Sequence, residues 1–427
     1  MNNQIKKEDF KLLIKEFHTD LLPETFQREL KIPFFSKKII TVYGPRRSGK
    51  SFYFLTLIKE LLRQSIPRER ILYLNFEDDR ILPLDFKELN LLLEAYFELY
   101  PENKSKEIFL FFDEIQNIKN WEIFVRRIYD RENVRIFITG SSSKLLSKEI
   151  ATSLRGRTIS YSLYPLSFKE FLSFKNERIE KDFEYTSLRF KIKKLLEKYI
   201  EWGSFPEIVL EEDLILKRKI LSEYFNSLVY RDLSERFSLE NTDLLKDLLK
   251  FLFTNFTSYF STNSYFNLIK QKLSVSRETI SLYLSYIKET DYFSFLPLFS
   301  YSLKVQKINS KKIICLDNGL RNAVAFQFSQ DRGKLIENIV GMNLKMKEKE
   351  IFFWKNKREV DFILKEKNNL SAVNVCFSQT LPQREIDGLL EVKERLKNIK
   401  ELILITKDIQ KEENGIKFIP LWKWLSV

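Results

Sequence analysis

Gly44 and Gly49 stand five residues apart and are followed at once by Lys50 and Ser51, in the run Gly44-Pro45-Arg46-Arg47-Ser48-Gly49-Lys50-Ser51. Glycines at these points let a backbone fold tightly enough for successive N–H groups to face phosphate oxygens, so all eight residues are candidate nucleotide contacts. Lys50 would add a point charge near the outer phosphates, and the Ser51 hydroxyl could ligate Mg2+. A second constellation is Asp113-Glu114, two carboxylates closing the apolar run Ile108–Phe112. Burying a strand that ends in two acids is costly unless they have work there. Asp113 is the candidate partner of Ser51 on the metal, and Glu114 the candidate base for an attacking water. A plain acidic helix cap is the alternative. Thr139 and Ser141 leave the run Val134–Thr139 around Gly140. They are candidate contacts to the outermost phosphate or to that water, against a simple glycine turn into a serine-capped helix.

These residues need a scaffold that brings strand ends together. Strand-like runs at Lys38–Tyr43, Arg70–Phe76, Ile108–Phe112, Val134–Thr139 and Thr158–Leu163 alternate with helical periodicity at Lys50–Gln64, Asp85–Leu99, Ile118–Arg131 and Ser141–Ile150. That alternation predicts an α/β fold with a parallel sheet covered on both faces. A helical lead-in is expected over residues 8–36, with the lone His18 on its exposed face. An inserted strand between the lysine loop and the acidic strand marks ATPases that use an acidic base. No Asn/Thr-Lys-x-Asp run for reading guanine occurs in the sequence, which favours ATP. Arg155 and Arg157 sit between the fourth helix and the fifth strand, where oligomeric ATPases of this architecture supply an arginine to a neighbour's nucleotide. A surface turn paired with local acids is the plainer reading.

Downstream of Pro165 the pattern changes. Residues 166–240 read as helical with a break at Trp202–Pro206, and residues 241–325 as a small helical module closed by a hairpin. Residues 333–427 return to mixed α/β, with strands at Ile351–Trp354, Glu359–Leu364, Ala372–Phe377 and Leu402–Thr406. The 427 residues carry a net charge of +13, which favours a polyanionic partner such as DNA, against the plainer reading of ordinary solvated lysine-rich faces. Cys315 and Cys376 are too few for a disulfide framework or a zinc site. No apolar run approaches the ~20 residues of a membrane span. A cytoplasmic protein with no membrane role is expected.

The ordered series Tyr43–Ser51, Phe111–Asn117, Thr139–Ser143, Leu154–Arg157, Leu163–Phe171, Trp202–Pro206, Tyr230–Leu233, Leu273–Leu284, Leu316–Gly319 and Gly333–Phe362 spans nearly the whole chain. It resembles a family of prokaryotic AAA-type P-loop ATPases with a C-terminal domain related to the PD-(D/E)XK restriction-endonuclease fold. The resemblance implies an ATPase domain at 1–165, a helical segment at 166–240, a winged-helix-like module at 241–325 and a nuclease-like domain at 333–427. It implies ATP and Mg2+ as cofactors, with DNA and a second copy of the chain as candidate partners. In the winged-helix-like module Ser276 should cap a helix whose buried stripe is Ile280, Leu284 and Ile287. Nucleases of the related fold hold metal through an Asp on one strand and a Glu-x-Lys on the next. Here Glu337 and Asp361 remain, but Asn374 and Cys376 stand where the Glu and Lys would. One metal carboxylate and the catalytic cation are missing, so a degenerate site is expected, with Asp361 a remnant or an exposed strand-end acid. The functions implied are ATP hydrolysis driving conformational change on DNA, a slow ATP-gated assembly protein, and, third, an ATP-dependent nuclease.

Overall fold

The computed structural model describes residues 2–141, 154, 156–271, 275–325, 331–378 and 380–426. They fall into two compact units, Met1–Tyr164 and Pro165–Val427. The first unit runs α1 (Asn2–Thr19), β1 (Ile39–Gly44), α2 (Lys50–Arg63), β2 (Ile71–Asn75), α3 (Leu89–Leu99), β3 (Ile108–Asp113), α4 (Trp121–Arg131), β4 (Val134–Ser141) and β5 (Thr158–Ser162). Its strands form a parallel sheet in the order β2-β3-β4-β1-β5, so β4 lies between the lysine loop's strand and the acidic strand. The fully apolar β3 is explained by cover on both faces. Leu110 and Phe112 pack into the cluster that holds α1, α3 and α4, while Phe109 and Phe111 pack into the cluster that holds α2. Phe111 stacks on Phe137 of β4 with centroids 4.5 Å apart and meets Phe54 of α2 edge-on.

Two expectations for the N-terminal segment need correction. The helix does not run across residues 8–36; it ends at Thr19, whose hydroxyl turns back to the carbonyls of Lys15 and Glu16. Pro23 and Pro33 lack the N–H a helix needs and hold their predecessors extended. His18 is not an exposed residue but half-buried. Its Nε2–H donates to the Ile71 carbonyl (2.8 Å) and its Nδ1 accepts from the Tyr100 hydroxyl (2.7 Å). Burial holds its pKa below the usual imidazole value. The helix expected over Ser141–Ile150 lies outside the described residues beyond Ser141.

The second unit opens with α5 (Phe168–Phe174), α6 (Leu188–Trp202), α7 (Pro206–Leu210), α8 (Leu214–Ser227) and a π-helical turn at Leu228–Glu235. Then come α9 (Thr242–Thr254), β6 (Tyr259–Phe260), α10 (Thr262–Ile269), α11 (Arg277–Glu289), β7 (Phe293–Leu296), α12 (Leu303–Ile308) and β8 (Lys311–Cys315). The three strands pair antiparallel in the order β6-β8-β7. The Ser276 hydroxyl caps α11 by accepting from the Thr279 N–H at 3.1 Å, and Ile280, Leu284 and Ile287 are buried.

After α13 (Asn318–Val324) and α14 (Arg332–Met346) come β9 (Glu350–Lys355), β10 (Glu359–Glu366), β11 (Asn369–Cys376), α15 (Gln383–Arg395), β12 (Ile399–Thr406), β13 (Lys411–Glu413), β14 (Ile416–Pro420) and α16 (Leu421–Trp424). Their sheet, ordered β13-β14-β12-β11-β10-β9, is mixed: β9, β10 and β11 alternate in direction, while β11, β12 and β14 run parallel. Helix α15 lies against β10, β11 and β12.

Candidate nucleotide site

Gly44 ends β1 against the neighbouring strand's exit. A Cβ there would lie 2.1 Å from the Leu163 carbonyl oxygen, while Leu163 N–H donates to the Tyr43 carbonyl at 2.7 Å. Only glycine permits that approach. Five residues on, Gly49 takes a left-handed φ of 92° and caps α2, so the loop turns directly into the helix's open N-terminus. Within the loop, Arg47 also has positive φ, the Ser48 N–H reaches the Pro45 carbonyl (3.3 Å), and Arg46 lies 3.7 Å from Glu77. Lys50 is 5% exposed and donates to the carbonyls of Gly44 and Pro45, each at 3.2 Å. The Ser48 hydroxyl is buried without a hydrogen-bond partner.

Alternation along β3 puts Asp113 on the face of Phe109 and Phe111, which is the α2 face, and so toward Ser51. Asp113 is fully buried and held by three hydroxyls: Tyr73 from β2 (3.0 Å to Oδ2), Thr139 from β4 (to Oδ1) and Ser51. Burial pushes its pKa up, and the Ser51 and Thr139 hydrogen bonds oppose that shift. Strict alternation would turn Glu114 to the opposite face. Instead Glu114 adopts φ 54°, and its carboxylate stands 3.6 Å from Lys50 Nζ. The Gln116 amide donates to the other Glu114 oxygen.

Thr139 does something different from the phosphate or water contact expected of it. Its one hydroxyl proton goes to Asp113 and its lone pair accepts the Glu114 N–H at 3.0 Å, so it spaces the two acids. Ser141 pairs through its backbone with Gly44, and its side chain is outside the described residues. Arg155 is also outside them. Arg157 makes two 3.0 Å hydrogen bonds to Asp130, which is the local pairing expected of a surface turn.

Three participants escaped the sequence reading. Gln116 was visible two residues past Glu114. Tyr73 could be placed only once β2 was known to flank β3. Arg28, buried with its guanidinium on the Ser48 carbonyl, has no local pattern at all.

Residues 36–172 match the model of an AAA domain, and residues 193–331 and 332–424 match two domains of unknown function, DUF8612 and DUF4143. An uncharacterized protein of Methanocaldococcus jannaschii is 36% identical over 97% of this chain and 96% of its own length. The chain belongs to that protein's family. A further relative, an uncharacterized protein of Haemophilus influenzae, is 33% identical over 91% of the chain and 94% of its own length. Among solved structures, the Walker-type ATPase PABY2304 of Pyrococcus abyssi aligns over 75% of this chain and 95% of its own, at 13% identity and a TM-score of 0.44.

The residues of this family member fit a nucleoside triphosphate with Mg2+. The orphaned Ser48 hydroxyl, the two glycine turns and a lysine resting on loop carbonyls form a cradle short of an anion. Ser51 and Asp113, already in contact, are the hard oxygen donors Mg2+ takes.

A second charged centre lies in the other unit. Lys312 of β8 is 1% exposed, with Nζ 2.7 Å from Glu337 of α14, 2.9 Å from Asp361 of β10 and 3.5 Å from Glu359. Asp361 is therefore not an exposed strand-end acid; its side chain is 15% exposed, and its Oδ2 accepts the Val375 N–H at 2.9 Å. The Asn374 side-chain Oδ1 accepts the Asp361 N–H, and its Nδ2 donates to the Glu385 carboxylate of α15 (3.1 Å). Cys376 is buried in the apolar cluster beneath α15. A cation therefore does stand beside Asp361, but it comes from β8, 49 residues earlier in the chain, and not from the position after Asn374. No sequence spacing announces it. Among the described residues no acid, cysteine or histidine cluster suits a metal, and no helix is long and apolar enough to cross a membrane.

Proposed function

We propose that the protein hydrolyses ATP at the Gly44–Ser51 loop and couples turnover to a conformational change on DNA. Glu114 is the observation that carries hydrolysis rather than binding alone. Its left-handed backbone sets a carboxylate beside Lys50, and Gln116 steers the second oxygen. Lys50 leaves the loop carbonyls for phosphate oxygens, and Ser51 and Asp113 would hold Mg2+, which would supply charge neutralisation at the phosphates. Glu114 takes the proton of the attacking water, while Thr139 keeps both acids in register. Specificity for ATP over GTP rests on the lack of a guanine-reading run.

We assign residues 1–165 to the ATPase domain, 166–240 to a helical segment, 241–325 to a winged-helix-like module and 333–427 to an inactive nuclease-like domain. The order α9-β6-α10-α11-β7-α12-β8 supports the third assignment. The outward Glu278, Ser281, Ser285 and Lys288 of α11 are exposed and nearly balanced in charge, so overall charge, more than this helix, attracts DNA. Asn374 and Cys376 support the fourth assignment, as does the Lys312 ammonium lodged between Glu337 and Asp361. The free, buried Cys315 and Cys376 support a cytoplasmic setting.

One observation favours the slow, ATP-gated assembly reading: Glu114 is tied to Lys50 and Gln116 and must be released before it can act as a base. ATPase rates with and without DNA, at two salt concentrations, separate the two. Stimulation by DNA that fades with salt supports motor-like turnover. Nucleotide-dependent oligomers without turnover move the function to gated assembly.

A further inference from the structure

We infer that Arg28 is a positioning residue for the phosphate loop, holding the Ser48–Gly49 peptide so that its N–H is aimed and polarised for phosphate. The inference rests on the ATP-binding reading above. Residues 20–38 form no regular helix or strand, and the middle of that stretch lies along α2. The Tyr53 hydroxyl donates to the Leu30 carbonyl at 3.0 Å, and the Lys59 ammonium donates to the Pro23 carbonyl. From this strap Arg28 turns inward and is 7% exposed. Its Nη1 donates to the Ser48 carbonyl at 3.0 Å and its Nη2 to the Tyr164 carbonyl at 2.6 Å.

Ser48 C=O and Gly49 N–H belong to one peptide plane and point in opposite directions along it. Fixing the carbonyl on the guanidinium therefore fixes the direction of the N–H. A cation on the carbonyl also draws electron density from the peptide and makes that N–H a stronger donor. Gly49 is the residue whose left-handed φ leads the loop into α2, and an unrestrained glycine there has the widest choice of peptide orientation. The second arm of the fork ties the back of the loop to Tyr164, where the first unit ends and the chain passes on. A planar two-armed donor holds both carbonyls at once; a lysine point charge holds one at a time.

Full-length wild type, Arg28→Ala and Arg28→Lys are compared by ATP titration calorimetry, thermal melting and amide hydrogen exchange without nucleotide. Arg28→Ala should bind ATP about tenfold more weakly, the scale of one charge-assisted hydrogen bond, with Arg28→Lys between it and wild type. Exchange at Gly44–Ser51 should quicken in both variants while the core of α2 keeps its protection. Wild-type affinity in Arg28→Lys and Arg28→Ala overturns the inference. So does an affinity loss matched by equal loss of protection throughout α2, because the role is then structural only. If Arg28→Ala does not fold, Arg28→Lys decides by the same two readouts. Wild type that fails to bind ATP removes the nucleotide reading itself, a result distinct from variants that match a binding-competent parent.

Discussion

Replacing Glu114 with Gln keeps the shape beside Lys50 and removes the base. Glu114→Gln should bind ATP with near wild-type affinity yet turn over some 100- to 1,000-fold more slowly, the usual weight of a positioned general base. Single-turnover kinetics with radiolabelled ATP would show it, and equal turnover would remove the assignment. Lys50→Ala, by contrast, should lose binding, since the cation and its phosphate contacts vanish together. Both residues were legible as candidates in the sequence because the loop and the strand-end acids are local patterns. The Lys312 centre was not, since its members come from β8, α14 and β10. Burial and Asp361 push the Glu337 carboxyl up to about 8 against the pull of Lys312. A carboxyl raised in the fold favours folding below its unfolded value and loses that contribution as pH rises toward 8. Wild-type melting temperature should therefore fall relative to Glu337→Gln between pH 5 and pH 8; parallel curves would refute the shift.

At the scale of elements, periodicity found what is repeated and missed what is short. The five strands of the first sheet and β9 to β12 of the last were expected, because each is an apolar run of ordinary length. The β13–β14 hairpin was not, although Asn414-Gly415 announces it. Both residues have positive φ, 53° and 75°, and they join Glu413 to its partner Ile416 as a tight two-residue turn requires. The strands it joins are three and five residues long, too little for alternation to register. Gly415→Ala forces a side chain into that left-handed position and should cost about 1–2 kcal/mol, read as a lowered denaturant midpoint. An unchanged midpoint would mean the turn is free to adopt another form. The early end of α1 has the same lesson in reverse: apolar spacing continued past Thr19, but Pro23 decided the outcome.

For the whole molecule, charge and the Lys312 centre make opposite statements about DNA. A net +13 should give binding whose log affinity falls with log salt by about 0.9 per phosphate neutralised. A flat salt dependence in fluorescence anisotropy would move the partner away from nucleic acid. Cleavage is not expected with Mg2+ or Mn2+, since an ammonium already lies between Glu337 and Asp361. Nicking of plasmid that vanishes in Asp361→Ala would contradict this. If an arginine beside β5 serves a neighbouring copy, Arg155→Ala should bind ATP without turnover and poison wild type in mixed oligomers. Arg157→Ala should mainly release Asp130.

The match to an AAA domain begins at residue 36, and a biochemist shortening the chain would be tempted to cut there. The packing of α1 and the strap gives a different start. Phe10, Leu13 and Ile14 are buried against α3, and Tyr53 and Lys59 of α2 anchor to the strap. A chain starting at Ser36 would bare those apolar faces and lose the Arg28 fork, keeping every residue of the nucleotide motif. It should be recovered as aggregate, or as soluble protein with little affinity for ATP. The smallest autonomous ATPase would then reach back into α1, well before the first glycine of its loop.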